Sequence, residues 1–194
     1  MPDLITVDDV KDEGAIQGAQ LDARILRRIS SVTANAEAYC MRRFELETRT
    51  EHHDIVGNPS FFYVDNPPWV SITTLTHNSQ VAAVTIDADE DVINETEYKS
   101  AGLIELFNGE SVFYSGDASV KIVYSGGYDE GTFPAEVKYA LIDQILFELD
   151  HRERIGIAAQ AADGVSISYD EASGFASQVK VVLERYRRLD KLLV

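Results

Sequence analysis

The chain has 194 residues, 45% of them hydrophobic and 26% charged. That length can bury roughly 70% of the unfolded surface in one domain, or one domain with an insertion, without metal or disulfide support. A formal net charge of −16 argues against a protein that wraps nucleic acid, because neutralising phosphates needs clustered Lys and Arg, and a single cysteine, Cys40, excludes an internal disulfide.

Taken in chain order, the first element is Thr6–Lys11, where Thr6 can cap a short helix whose first turn holds Asp8 and Asp9. Met1–Thr6 has no basic head followed by an apolar stretch, so no secretory leader is expected, and the protein is expected in a reducing cytoplasm. No apolar run approaches the roughly 20 residues needed to cross a bilayer, so no membrane association is expected. Residues 14–20, with Gly14 and Gly18, read as a loop. From Asp22 to Arg43 the apolar residues Leu21, Ile25, Ile29, Val32, Ala36 and Tyr39 recur at three and four, which predicts a long amphipathic helix. Arg24, Arg27, Arg28, Arg42 and Arg43 lie largely off that stripe, and Cys40 reads as a small buried residue.

Alternation and β-branched residues then predict strands over Phe44–Ile55, Phe61–Val64, Val70–Thr76, Val81–Ile86, Glu97–Phe107 and Ser119–Tyr124. The turn signals Gly57-Asn58-Pro59, Asn66-Pro67-Pro68, Asn78-Ser79 and Asn108-Gly109 punctuate them. Gly126-Gly127 and Gly131–Pro134 lead into a second long helix, with Val137, Leu141, Ile145 and Leu149 at i+4. Residues 157–175 read as loosely structured, and a last helix is expected from about Ala176 to the end, with Val179, Val182, Tyr186, Leu189 and Leu193 as its apolar stripe. The expected fold class is α+β: a small helical bundle, one long N-terminal helix and two C-terminal ones over 1–43 and 134–194, with an inserted antiparallel β module over 44–133.

Charge is divided unevenly between these parts. Residues 44–133 carry 3 basic and 16 acidic groups, whereas 176–194 carry 5 and 2. An acidic middle keeps the protein soluble but does not explain the basic tail.

No motif supplies catalysis. Glu51-His52-His53-Asp54 places adjacent histidines on opposite faces of a strand, where they cannot share one metal without distortion. Asp87-Ala88-Asp89-Glu90-Asp91 begins like a calcium loop, but Val92 stands where a glycine is needed and Tyr98 where a bidentate Glu is needed. Ser125-Gly126-Gly127 lacks the residues of a phosphate loop or a nucleophile turn. His77 and His151 stand alone, and neither cofactor nor metal is expected.

Several segments in order resemble a known family. Leu4–Lys11 followed by the Asp22–Arg43 helix is similar to the opening of head–tail connector (adaptor) proteins of long-tailed bacteriophages. Pro68-Trp69-Val70-Ser71-Ile72-Thr73-Thr74-Leu75, then Tyr98 and Gly102-Leu103-Ile104-Glu105-Leu106, resembles the β insertion of one branch. Val120–Tyr128 followed by Phe133–Ala140, then Arg152 and Leu183-Glu184-Arg185-Tyr186-Arg187-Arg188, completes the resemblance over nearly the whole chain. The long 157–175 segment and the glycine-containing 14–20 loop depart from it.

The resemblance implies a non-catalytic structural protein of the virion neck, made in the host bacterial cytoplasm. It would form a ring, a dodecamer, seated beneath the portal protein. DNA would pass through that ring without sequence-specific binding, and the ring would offer a platform to a head-closure or tail-completion protein. The alternative is a head-closure (stopper) or tail-completion protein of the same neck. Two site expectations follow. Arg185, Arg187, Arg188, Leu189, Lys191, Leu192 and Leu193 dock on the portal, and Arg24, Arg27 and Arg28 face a neighbouring subunit.

Overall fold

The computed structural model describes residues 4–78, 83–87, 90–107, 112–150, 161–162, 165–166 and 174–188. In order these form α1 (Val7–Glu13), α2 (Asp22–Cys40), β1 (Glu47–Ile55), β2 (Phe61–Tyr63), β3 (Trp69–Asn78) and β4 (Ala83–Ile86). There follow α3 (Thr96–Ala101), β5 (Leu103–Glu105), β6 (Gly116–Gly126), α4 (Ala135–Asp150), the short pair β7 (Ala161–Ala162) and β8 (Val165–Ser166), and α5 (Ser177–Glu184). The fold is α+β, and the chain divides into two compact units, Met1–Arg42 with Glu130–Val194, and Arg43–Asp129.

In the helical unit, α1 starts as the sequence predicts. Thr6 Oγ1 accepts from the Asp9 N–H at 3.1 Å and the Asp9 carboxylate accepts from the Thr6 N–H at 2.8 Å, a reciprocal capping box. Lys138 of α4 lies 2.8 Å from the same carboxylate. Partial burial raises the Asp9 pKa, but these bonds to Lys138 and Thr6 outweigh it and leave it below its ordinary value. The α2 stripe of Ile25, Ile29, Val32 and Ala36 is buried, together with Cys40. The helix stops at Cys40, three residues short of the expected Arg43. Met41 adopts a left-handed conformation there, and Met41 and Arg42 donate to the carbonyls of Ala38 and Glu37, which closes the last turn.

α4 packs Val137, Ala140, Leu141, Ile142 and Ile145 into this core and adds a polar residue, Gln144, almost fully buried. Its amide is fully used: Oε1 accepts from the Ala176 N–H at 3.0 Å, while Nε2 donates to the Gly174 carbonyl at 3.2 Å and to Glu148 at 3.1 Å. Ala176 begins α5 with no side-chain cap of its own, so Gln144 substitutes for one across the core. Gln144→Leu, which keeps the volume but removes the partners of two backbone groups at the start of α5, is expected to cost about 1–2 kcal/mol in urea unfolding. α5 is shorter than expected. It buries Val179 and Leu183, with Val182 half-buried, and ends at Glu184 instead of running to the terminus. Arg187 and Arg188 have left the helix, and their partners on α2 explain why: the Arg188 N–H donates to the Cys40 carbonyl at 3.0 Å, and the Arg187 guanidinium lies 5.1 Å from the Tyr39 ring centre. Leu189 and Leu193 of the expected stripe lie outside the described residues, as does most of 157–175.

The β unit holds a four-stranded antiparallel sheet in the order β1-β6-β3-β4 and a two-stranded sheet, β2-β5. One cluster unites them, with Ile55, Trp69, Leu75, Ile86, Val120, Ile122 and Tyr124 from the larger sheet, Phe62 and Ile104 from the smaller, and Val64, Val92, Leu106 and Phe113 from connecting segments. The expected strand Glu97–Phe107 is corrected: its first part is α3, ended by Gly102 at φ +75°, and only Leu103–Glu105 is extended. Lys99 on that helix sits 5.0 Å over the Trp69 ring, whose indole N–H donates to the Leu103 carbonyl at 3.0 Å.

Candidate interaction surfaces

Among the described residues no group of His, Cys, Asp or Glu is placed to hold a metal, and no helix is long and apolar enough to cross a membrane. The residues weighed for chemistry have structural surroundings instead. His53 Nε2 lies 3.1 Å from the Glu51 carboxylate. His77 is buried, stacked on Tyr114 at 5.3 Å, and burial lowers its pKa. Asp91 accepts from the Asp87 N–H at 3.2 Å across its loop, while Ala88, Asp89 and His151 lie outside the described residues.

Ser125-Gly126-Gly127 is a packing device. A Cβ on Gly126 would sit 2.4 Å from the Asn66 carbonyl oxygen, and one on Gly127, at φ +109°, would sit 2.4 Å from that of Glu45. This close approach lets Tyr128 exchange hydrogen bonds with the Phe44–Leu46 segment and Gly127 donate to Pro68, so both ends of the β unit are tied together.

Beneath them lies a buried polar network that sequence reasoning missed. Tyr124 donates to Glu51 at 2.5 Å and accepts from the Asn66 N–H at 2.9 Å. Glu51 also accepts from the Asp65 N–H at 2.8 Å, and Asn66 Oδ1 accepts from the Arg43 N–H at 2.8 Å. Burial raises the Glu51 pKa, but bonds from His53, Asp65 and Tyr124 outweigh it and hold the carboxyl below its usual value. Burial, then the bond to Glu51, pushes Tyr124 far above the ordinary phenol value.

The expected subunit-contact residues are separated by the structure. Arg28 pairs with Glu148 at 2.8 Å and Arg24 donates to the Leu149 carbonyl at 3.1 Å, so both brace the C-terminal end of α4, where cations suit the helix dipole. Arg27 is exposed, next to Leu26, which is 53% exposed. Of the expected portal-docking residues, Arg185 pairs with Glu136 at 2.9 Å, and Tyr186 donates to the same carboxylate at 2.6 Å. Arg187 lies 3.4 Å from Glu184, to which Tyr39 also donates. Burial, then this bond, pushes the Tyr39 pKa up to about 12. Leu189, Lys191, Leu192 and Leu193 lie outside the described residues.

The arginines expected at interfaces thus have partners within the helical unit, except for the exposed Arg27. The chain belongs to the head completion protein family, whose model matches residues 3–189. No curated protein matches it by sequence. Its fold is shared with a chain from the neck of an empty gene transfer agent particle computed with C6 symmetry (TM-score 0.60, 14% identity, 96% of this chain and 90% of that one). It is also shared with one from the neck of the native particle computed with C12 symmetry (TM-score 0.56, 14% identity, 94% and 88%). A chain from the virion of the native particle gives a TM-score of 0.59 at 14% identity over 96% and 90%.

Proposed function

We propose that this protein is the head–tail connector, or adaptor, of its virion. It forms a ring beneath the portal protein, extends the DNA channel, and presents a platform to the head-closure or tail-completion protein. One observation carries the reading: the family match and the shared fold both run over nearly the whole chain, and one of the similar chains belongs to a neck with C12 symmetry. A dodecamer is the corresponding assembly. The 16 acidic groups of residues 44–133 also suit a channel wall that lets DNA slide past without gripping phosphate. The β unit is an insertion in a helical core, and the core carries the portal contact at its C-terminal end.

The test is native mass spectrometry of the purified protein mixed with the portal rings encoded beside it. A mass increase of twelve subunits supports the adaptor role. No binding by folded components assigns the chain to head closure or tail completion.

The structure also sharpens where to cut. Arg185, Tyr186 and Arg187 have partners within the helical unit, so a deletion beginning at Arg185 would disturb that unit's packing. Deleting residues 189–194 instead removes Leu189, Lys191, Leu192 and Leu193, together with Asp190 and Val194, and spares Arg185–Arg188. It is expected to weaken portal binding about a hundredfold or more while leaving the melting temperature unchanged. A truncated protein that binds as before would remove these residues from the portal interface.

A further inference from the structure

Two exposed faces of the molecule are built unlike ordinary solvent-facing surface. The first is the outer side of the β2-β5 sheet. Both strands alternate, with Phe62 and Ile104 pointing inward, and the outward positions are Phe61 and Tyr63 on β2 opposite Glu105 and Leu103 on β5. Phe61 is 44% exposed and Tyr63 50%, and their rings meet edge to face at 6.0 Å. Phe107, just beyond β5, is 67% exposed, and its N–H donates to the Asp91 carbonyl. Two phenylalanines and a tyrosine grouped in water, edged by Glu105 and Asp91, mark a docking surface.

The second is the outer face of α2. A helix of a globular protein normally turns charged residues outward. Here the exposed positions are Ala23, Leu26, Arg27, Ser30, Ser31, Ala34, Asn35 and Ala38, and Arg27 is the one charged residue among them. Small side chains leave the helix backbone open to close approach, and Leu26 with Arg27 presents an apolar and cationic edge.

A ring generated by rotation joins two different patches on successive copies, each complementary to the other. We infer that the occupant of the aromatic β2-β5 face is a second copy of this chain, which inserts Leu26 and Arg27 of its α2. Leu26 then packs against Phe61 and Phe107, and the Arg27 guanidinium meets the acidic edge and the aromatic faces. The opposite signs and the shared apolar content make the two patches complementary. This inference rests on the ring reading above and adds which surfaces build the ring.

Cross-linking tests it. The native Cys40 is buried and its thiol is pushed up to about 12, chiefly by burial, so it stays silent. The full chain carrying Ser30→Cys and Leu103→Cys, which flank the two patches and leave Leu26, Arg27, Phe61 and Phe107 in place, is assembled on portal rings and treated with a short bismaleimide. A ladder of covalent oligomers ending at the ring mass is expected, with neither single variant giving more than dimers. In the unlinked protein, Arg27→Glu is expected to raise the concentration needed for ring formation about tenfold or more. Complete rings with no ladder overturn the inference and leave the connector reading standing. Wild-type protein that forms no ring overturns both. Loss of portal binding rather than of ring closure in Arg27→Glu would reassign the α2 face to the portal and overturn the inference as well.

Discussion

Gly127→Ala should unfold the β unit at markedly lower urea, a loss of about 3 kcal/mol or more. The new Cβ would lie 2.4 Å from the Glu45 carbonyl oxygen and 2.8 Å from its carbon, both backbone atoms that cannot rotate away. The residue would also keep φ near +109°, which side chains disfavour. Relief would require the 44–46 segment to move off 126–128, breaking the exchange in which Tyr128 donates to Phe44 and Leu46 donates to Tyr128. Because the glycine lies where the β unit closes its own ends, circular dichroism should show lost strand signal while helix signal persists. A variant with wild-type stability would mean that the 44–46 segment yields cheaply.

The second large effect is expected at Glu51. Replacing it with leucine removes the acceptor of the buried Tyr124 hydroxyl and of the partly buried Asp65 N–H, at a cost of about 3 kcal/mol. Glu51→Gln keeps the shape but turns one acceptor into a donor facing donors, so it should recover only part of that loss. The same site sets an acid dependence. The folded carboxyl titrates below its unfolded value near 4.5, so the folded state holds fewer protons than the unfolded one. Its contribution is therefore complete above the unfolded value and fades as pH falls through the folded one. Wild type should lose β-unit stability below about pH 4.5 more steeply than Glu51→Gln, in parallel urea titrations. Equal slopes would place the acid sensitivity elsewhere.

Periodicity made the helical unit readable. Ile25, Ile29, Val32 and Ala36 at three and four, and Val137, Leu141 and Ile145 at four, state which faces are buried, and the buried residues are those. Helix ends were harder. Met41 takes the left-handed position with no glycine to signal it, and α5 stops where Arg187 and Arg188 find partners on α2, far away in sequence. α3 was hidden because six residues, Thr96–Ala101, are too few to show a helical period, and the β-strand that follows gave the whole segment its apparent character.

The site was less legible for a related reason. An apolar stripe tells which side of a helix is inward but not what lies along its flank. Arg24 and Arg28 therefore looked outward-facing, although the end of α4 stands beside them. Glu51 and Tyr124 are 73 residues apart and meet only because β1 and β6 pair in the register Glu51 opposite Ile122, which no local pattern announces. The exposed Phe61 and Tyr63 were within reach: an aromatic triplet on a three-residue strand must turn two rings the same way.

The two units differ in one respect that bears on biosynthesis. Residues 43–129 are continuous, and their internal hydrogen bonds are all available once that stretch has left the ribosome. The helical unit is not continuous: Gln144 holds the start of α5, Leu183 fills its core, and the Arg188 N–H reaches back to the Cys40 carbonyl. Its core is completed only when residues 176–188 have been translated, well after the sheet. Translation should thus deliver a folded sheet first and hold the helices open for a chaperone or a nascent neighbour, and truncated nascent chains ending near residue 150 should protect only the sheet from protease.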